Sequence, residues 1–470
     1  MTDLARATPS SADTDAAGIA AFVDAVLASG TELHTLMILR RGEVIAETRW
    51  APYELDRPNL LYSLSKSFVS AAAGLAIGEG RFGLDDRIVD HFPDLVPADL
   101  GEHWRELRVR HCLSMATGHL DDPAFPFPEA GTDWLRYFFT LPPEREPGTV
   151  FTYNQFATYT VARLIEQTSG QRVLDYLRPR LFAPLGITEA AWLTDGHGHD
   201  AGFSGLHLST EAVARFGQLL LQQGTWQGQQ ILDPAWIEQA SRVQMPNDAA
   251  HRRPGVEPPT IDWGSGYGFQ FWIATHGYRG DGAYGQFCIV LPQHDALVVT
   301  TAETMDMQGV LDQAWTHLLP AFDRPGSEAA DRALVERLAN LRLEGPADDE
   351  SGSDTVELSR DGGDAARSVT SVRVRANGSA YALECAAGDQ RWELPVGRGE
   401  WARGTWKGDA SVPFMSWGGW QQGRFVAQLR MIQTPHRIDL VADPQAGTVS
   451  LQWRYPPLHG DPEAHRLTEE

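Results

Sequence analysis

The feature that most limits the fold is a split set of strand-like runs. Residues 33–50, "LHTLMILRRGEVIAETRW", read as two strands joined at "RRGE", a hairpin. Three more runs, "GYGFQFWIA" (266–274), "GQFCIVLP" (285–292) and "ALVVTTAE" (296–303), come only after a long stretch, about 60 to 260, that is mostly helical and rich in Pro and Gly turns. A helical pattern precedes the first pair, "GIAAFVDAVLASG" (18–30), and another follows the last run, "LDQAWTHLLPAF" (311–322). One antiparallel five-stranded sheet, built from both ends of the segment, packs these elements economically. A helix from each end covers one face, and the helical excursion forms a subdomain on the other. The expected fold class is therefore α/β (α+β).

The rest of the chain divides by composition. Residues 1–17 are small and polar and are expected to be mobile. The sheet-and-helix domain is expected over 18–325. Residues 345–367, "GPADDESGSDTVELSRDGGDAAR", read as a surface linker or long loop. A small β-rich C-terminal domain is expected within 326–458, with a tail at 459–470. Its alternating runs carry Trp392, Trp401, Trp406, Trp417, Trp420 and Trp453. They are read as core area in preference to a ligand platform. This domain either shapes substrate entry or serves a homo-oligomer contact.

Charge excludes some partners. A net charge of −23 argues against nucleic acid and against an anionic membrane surface. The N-terminus carries acids and lacks an apolar core, and no run approaches the ~18 apolar residues of a spanning helix. A soluble cytoplasmic protein is the expectation. Cys112, Cys288 and Cys385 are far apart and lie in apolar contexts, so buried thiols are expected, with no disulfide framework.

Lysine usage marks a site. Of the 39 Lys plus Arg, only Lys66 and Lys407 are lysines. A lysine among arginines suggests proton transfer, because a buried amine can lose its proton and a guanidinium cannot. Lys66 lies in "SLSKSFVSAAAGLAIGEG", which reads as a buried helix with Ser63 and Lys66 in its first turn. A spacing of three puts both on one face. The helix start and burial favour a neutral amine able to take the serine proton. Ser65 and Ser67 lack a lysine at that offset and read as packing or cap groups.

In "EPGTVFTYNQFATYTVARLIEQTSG" (146–170), Tyr153 falls where an extended segment meets a helix. Its phenol is a candidate proton carrier, or else a buried aromatic with a satisfied hydroxyl. "DGHGHDAGFSGLH" offers His197, His199, Asp200 and His207. It is read as a Gly/His loop at the cleft rim, with a metal site as the lesser reading. "HLDD" (119–122) is a second rim segment with no role assigned.

"SLSK" followed by Pro-Gly-x-x-Phe-x-Tyr resembles the serine β-lactamase and penicillin-recognising enzymes, above all their class C-like and esterase-like members. "GRFGLDDRIVDHFPDL" (80–95), "LRVRHCLSMATGH" (107–119), "RLFAPLGIT" (180–188), "GLHLSTEAVARFGQLLLQQGTWQGQQIL" (205–232) and "GAYGQFCIVLPQHDALVVTTAE" (282–303) extend the likeness over roughly 20–322. The resemblance implies Ser63 as acylated nucleophile, Lys66 as its base and Tyr153 as second proton carrier. It also implies an oxyanion hole from the N–H of Ser63 and one from 280–285. Two departures matter. Where the family has Tyr-x-Asn, this chain has Tyr153-Asn154-Gln155, so either Gln155 or Asn154 supplies the amide. The family's Lys-Thr-Gly is absent, and its place falls in "GYRGDGAYG" (277–285). There Arg279 would stand in for the lysine, Asp281 would repel a carboxylate, and Ala283 and Tyr284 would line the substrate. The expectation is a serine hydrolase of small-molecule esters or amides, neutral or amine-bearing, with no cofactor and no metal. The alternatives are an inactive binding or sensor protein on the same fold, or a true β-lactamase.

Overall fold

The computed structural model describes residues 4–125, 128–129, 131–253, 255–256, 259, 261–352, 355–366, 368–407 and 411–458. The expected tail at 459–470 lies outside the described residues. The chain divides into two compact units, one of residues up to 48 with 55–340, the other of 49–54 with 341 onward. Helix Glu328–Ala339, which the expected boundary at 325 gave to the C-terminal domain, belongs to the first unit.

The first unit holds a sheet of seven strands, not five. Its spatial order is Ala5–Arg6, Glu43–Arg49, Glu32–Arg40, Ala296–Glu303, Gln286–Leu291, Tyr278–Gly282 and Trp272–Ile273. The centre is the expected junction of the two ends of the segment. Glu32–Arg40 pairs antiparallel with Ala296–Glu303, with a bulge between Thr301 and Ala302. Alternation assigns the faces. Met37, Leu39, Cys288, Val290, Leu297 and Val299 join one large core that includes Phe68 and Phe216. The intervening Leu36, Ile38, Ile289 and Val298 are buried outside that cluster. Helix Thr210–Leu221, from the excursion, packs on the three central strands. Helix Ala16–Ala28 packs with the helices of 307–318 and 328–339.

Three departures explain the strand count. Residues 4–15, expected to be mobile, are built in. Leu4 is buried, Ala5–Arg6 pairs in parallel with Glu43–Val44, and Arg6 bridges Glu47 and Glu211. A two-residue strand shows no periodicity for a sequence reading to find. The run 266–274 contributes only Trp272–Ile273, because the residues before it turn around Gln270, whose amide donates to the carbonyls of Cys112 and Leu113. The strand added beside it, Tyr278–Gly282, is the "YRGDG" stretch, whose two glycines hide its pattern.

The second unit is a single sheet of nine strands, in the order 390–396, 380–387, 371–377, 355–362, 448–453, 437–443, 424–431, 411–421 and 402–407. Its two edge strands contact each other, and a bridge joins Gly397 to Trp417, so the sheet nearly closes into a barrel. Trp406, Trp420 and Trp453 lie in its core, as core area should. About a third of the expected linker is strand Thr355–Gly362, of which only Leu358 is fully buried, so no apolar alternation announced it. All three cysteines are free and buried.

Candidate active site

The site begins at a strained turn. Tyr62 has φ +49°, a left-handed conformation that costs a non-glycine residue about 1–2 kcal/mol. It opens the single 3-10 turn Tyr62–Leu64, which runs into helix Ser65–Gly78. Ser63 therefore sits just ahead of the α-helix rather than in its first turn, and Lys66 is the helix's second residue. Ser65 locks the turn: its hydroxyl donates to Tyr62 O at 2.6 Å and accepts from Leu206 N–H at 3.1 Å. Ser67 donates to Gln270 O at 2.9 Å. Both rival serines are buried and structural.

Lys66 is 1% exposed. Its Nζ lies 3.0 Å from Ser63 Oγ, 2.6 Å from Gln155 Oε1 and 2.9 Å from Phe203 O. Two of these neighbours are carbonyl oxygens, which only accept. The third is a hydroxyl, which can also donate. A neutral amine has two N–H bonds and one lone pair. The two N–H bonds match the two carbonyls, and the lone pair is left facing Ser63 O–H. Burial pulls the Lys66 pKa down to about 7, against the charges of Asp122 and Asp281, which raise it.

Tyr153 faces the same point. Nζ of Lys66 is 4.8 Å from its ring centroid. Burial drives the phenol pKa well up, so it stays an O–H near neutrality, and the Ser63 side chain is close enough to the phenol to lower the pKa slightly. Trp272 stacks on the ring at 5.3 Å and Tyr267 meets it edge-on at 6.0 Å. The next residue, Asn154, caps helix Gln155–Ser169. Its Oδ1 accepts from Ala157 N–H and its Nδ2 donates to Thr117 Oγ1. Of the two amides the sequence offered, Gln155 reaches Lys66, and Asn154 is committed to the helix end.

The strand Tyr278–Gly282 closes the other side. A Cβ on Gly280 would lie 2.2 Å from Leu64 Cδ1, and one on Gly282 would lie 2.0 Å from Leu61 O. Glycine is what lets this strand approach the turn that carries Ser63. Arg279 and Asp281 behave differently from expectation. Arg279 is fully buried. Its Nε donates to Asp281 at 2.9 Å, its Nη1 donates to Asp262 O at 3.1 Å, and its guanidinium lies 4.3 Å from the Trp263 ring centroid. Its Nε and Nη1 are taken by these acceptors, while Nη2 is buried without a hydrogen-bond partner among the described residues. Burial raises the Asp281 carboxyl to about 6, although Arg279 opposes this. Ala283 and Tyr284 form the turn after the strand. Tyr284, at φ +67°, is buried with its ring edge-on to Tyr62 at 5.2 Å, so it packs against the turn that carries Ser63.

Asp122, from the rim segment given no role, is the residue that sequence reasoning missed. Its Oδ1 accepts from Gln155 N–H at 3.2 Å. The histidine loop disperses instead of converging. His199 pairs with Glu166, His197 reaches Gly131 O, His207 reaches Gly205 O, and Asp200 accepts from Leu174 N–H. Among the described residues, the one group whose ligand atoms do converge is Glu32, His34 and Glu303, buried at one end of the central strand pair.

The family model for Beta-lactamase matches residues 19–321. The chain belongs to the Beta-lactamase family. It is 25% identical over 297 residues to the 6-aminohexanoate-dimer hydrolase of Paenarthrobacter ureafaciens, across 57% of this chain and 72% of that one. It is 31% identical over 171 residues to the D-aminopeptidase of Brucella anthropi, across 34% of this chain but only 32% of that enzyme. Among solved structures, the octameric penicillin-binding protein homologue of Pyrococcus abyssi superposes with a TM-score of 0.51 at 13% identity, over 87% of this chain and 97% of that one. This last likeness shows the fold alone. As a Beta-lactamase family member with hydrolase relatives, the chain is a serine hydrolase of the amidase and esterase type, working through an acyl-enzyme. No helix among the described residues is long and apolar enough to cross a membrane.

Proposed function

We propose that Ser63 is the residue acylated, with Lys66 as its base and Tyr153 as the proton carrier to the leaving group. The observation that carries this is the set of partners around Nζ: two carbonyl oxygens and one hydroxyl, which leave the lone pair of a neutral amine on Ser63. Ser63 Oγ bonds to the substrate carbonyl carbon as its proton passes to Lys66 Nζ. The negative oxygen that forms is held by the N–H of Ser63 and one from the Gly282–Ala283 segment, which the close approach at Leu61 brings alongside. Collapse breaks the bond to the amine or alcohol, which takes a proton from the Tyr153 hydroxyl, itself recharged from Lys66. Water then releases the acid.

The substrate class we infer is an ester or amide whose acyl part is neutral or carries an amine. Arg279 is buried against Asp281, and the carboxylates of Asp122 and Asp281 are close enough to act on Lys66 and Tyr153 alike. Such surroundings repel a substrate carboxylate and tolerate an ammonium. The names of the two curated relatives, a hydrolase of an aminohexanoate dimer and an aminopeptidase, agree with this. Intact-mass detection of an adduct from p-nitrophenyl acetate, lost in Ser63→Ala, tests the assignment. An adduct that survives Ser63→Ala refutes it. Nitrocefin, left intact at enzyme concentrations that cleave short esters, separates this reading from a β-lactamase proper.

A further inference from the structure

Gln155 carries a problem that its own position does not solve. A side-chain amide has two ends of nearly equal shape, and only one suits a lysine. If the NH2 end faced Lys66, two donors would meet, and Nζ would lose a carbonyl acceptor. Something must hold the amide with Oε1 toward the amine. The structure supplies one group that does. Asp122 is half-buried. Its Oδ1 accepts the Gln155 backbone N–H at 3.2 Å and the Ala124 N–H at 3.1 Å. Burial raises the pKa of this carboxylate, but the Gln155 side-chain amide also lies close enough to lower it, and the donor end of that amide is Nε2. An acceptor-only group beside the amide favours Nε2 on its side and leaves Oε1 for Lys66, where it lies at 2.6 Å.

We propose that Asp122 is a positioning residue of this site, gripping Gln155 by its backbone and by its amide so that the amide oxygen faces the Lys66 amine. The chain of contacts runs Asp122, Gln155, Lys66, Ser63. The same carboxylate contributes a charge felt at Nζ. The ionisable groups facing Lys66 are Asp122 from the rim segment, Asp281 from the glycine strand and the Tyr153 phenol, with Arg279 held by Asp281. Asp122 is the member of this set that touches Gln155. Its removal should therefore have two separable effects, one on geometry and one on the pH at which the amine becomes a base. This role rests on the assignment of Lys66 as the base of Ser63.

The test compares Asp122→Asn, Asp122→Ala, Gln155→Ala and the double variant Asp122→Ala/Gln155→Ala, each in the full chain. Because the sequence has only Lys66 and Lys407, ¹⁵N-lysine labelling gives two side-chain resonances, and Lys66 can be titrated directly. Asp122→Asn keeps an acceptor oxygen for the two backbone N–H groups and removes the charge. The Lys66 midpoint should then fall by about half a pH unit to one unit. Asp122→Ala should lower kcat for p-nitrophenyl acetate about 10- to 100-fold with KM little changed. Adding it to Gln155→Ala should cost less than the product of the two single losses, since its geometric effect passes through Gln155. A Lys66 midpoint unmoved in Asp122→Asn overturns the proposal, and so do losses that simply multiply in the double variant. If the wild type forms no adduct at Ser63, the hydrolase assignment fails separately, and the lysine titration still decides the part played by Asp122.

Discussion

The neutral amine can be tested through stability alone, with no substrate. Lys66→Met replaces a buried amine by an apolar chain of similar length. Some loss is independent of pH, because Ser63, Gln155 and Phe203 O lose a partner. The informative quantity is how the difference between wild type and variant changes with pH. In the unfolded chain the amine titrates at 10.5, and in the folded protein at about 7, lowered chiefly by burial. Between these values the unfolded chain holds a proton that the folded one has released. Wild-type stability therefore rises with pH relative to the variant, and below about 7 the full penalty of charging a buried amine is present. At about 1.4 kcal/mol per tenfold, integration from pH 7 to 9.5 gives a relative gain of about 3 kcal/mol. The window stays above the Asp281 carboxyl, at about 6, so its response to the lost lysine is small there. Urea unfolding at five pH values across the window measures the difference. Parallel wild-type and Lys66→Met curves would mean that the amine stays charged in the fold, and the general-base argument would fail with them.

Three further predictions follow from the packing. Gly282→Ala should destabilise by more than the 1–3 kcal/mol of ordinary overpacking, because the atom it meets is backbone, Leu61 O; thermal melting within 2 °C of wild type would contradict the close approach. Asn154→Ala should cost about 1–2 kcal/mol in urea with Ser63 labelling retained, whereas Gln155→Ala should leave stability nearly unchanged and slow labelling at least tenfold; the reverse pattern would exchange their roles. Arg279→Met should cost about 3–5 kcal/mol, since it strands Asp281 in a buried site, and the cost should shrink toward pH 5 as that carboxyl takes a proton; a variant as stable as wild type at pH 8 would show that the pair is not buried as described.

What could be read from the sequence was whatever has a period or a rare residue type. The split strand runs predicted one sheet built from both ends of the segment, and in it Glu32–Arg40 lies beside Ala296–Glu303. Lys66 stood out against a background of arginine, and the offset of three named Ser63. The turn before "VFTY" put Tyr153 at a helix entrance, where it is found. What escaped had no such signature. Tyr278–Gly282 is a strand because its glycines fit against residues 61–67, a reason that exists only in three dimensions. The pairing of Arg279 with Asp281 follows from strand alternation once the strand is known, and not before. Asp122 is an ordinary rim aspartate until Gln155 is seen beside it. The amide left open between Asn154 and Gln155 was settled by capping, since the residue before a helix spends its side chain on the first turn.

The central claim is that an uncharged Lys66 removes the proton of Ser63. The most direct measurement is the second-order rate of fluorophosphonate labelling at Ser63, mapped by peptide mass, as a function of pH. The account predicts a single adduct on Ser63, absent in Ser63→Ala, whose rate climbs with pH and reaches half its plateau near pH 7. An adduct on another residue, or a Ser63 rate that is flat between pH 5 and 9, contradicts it.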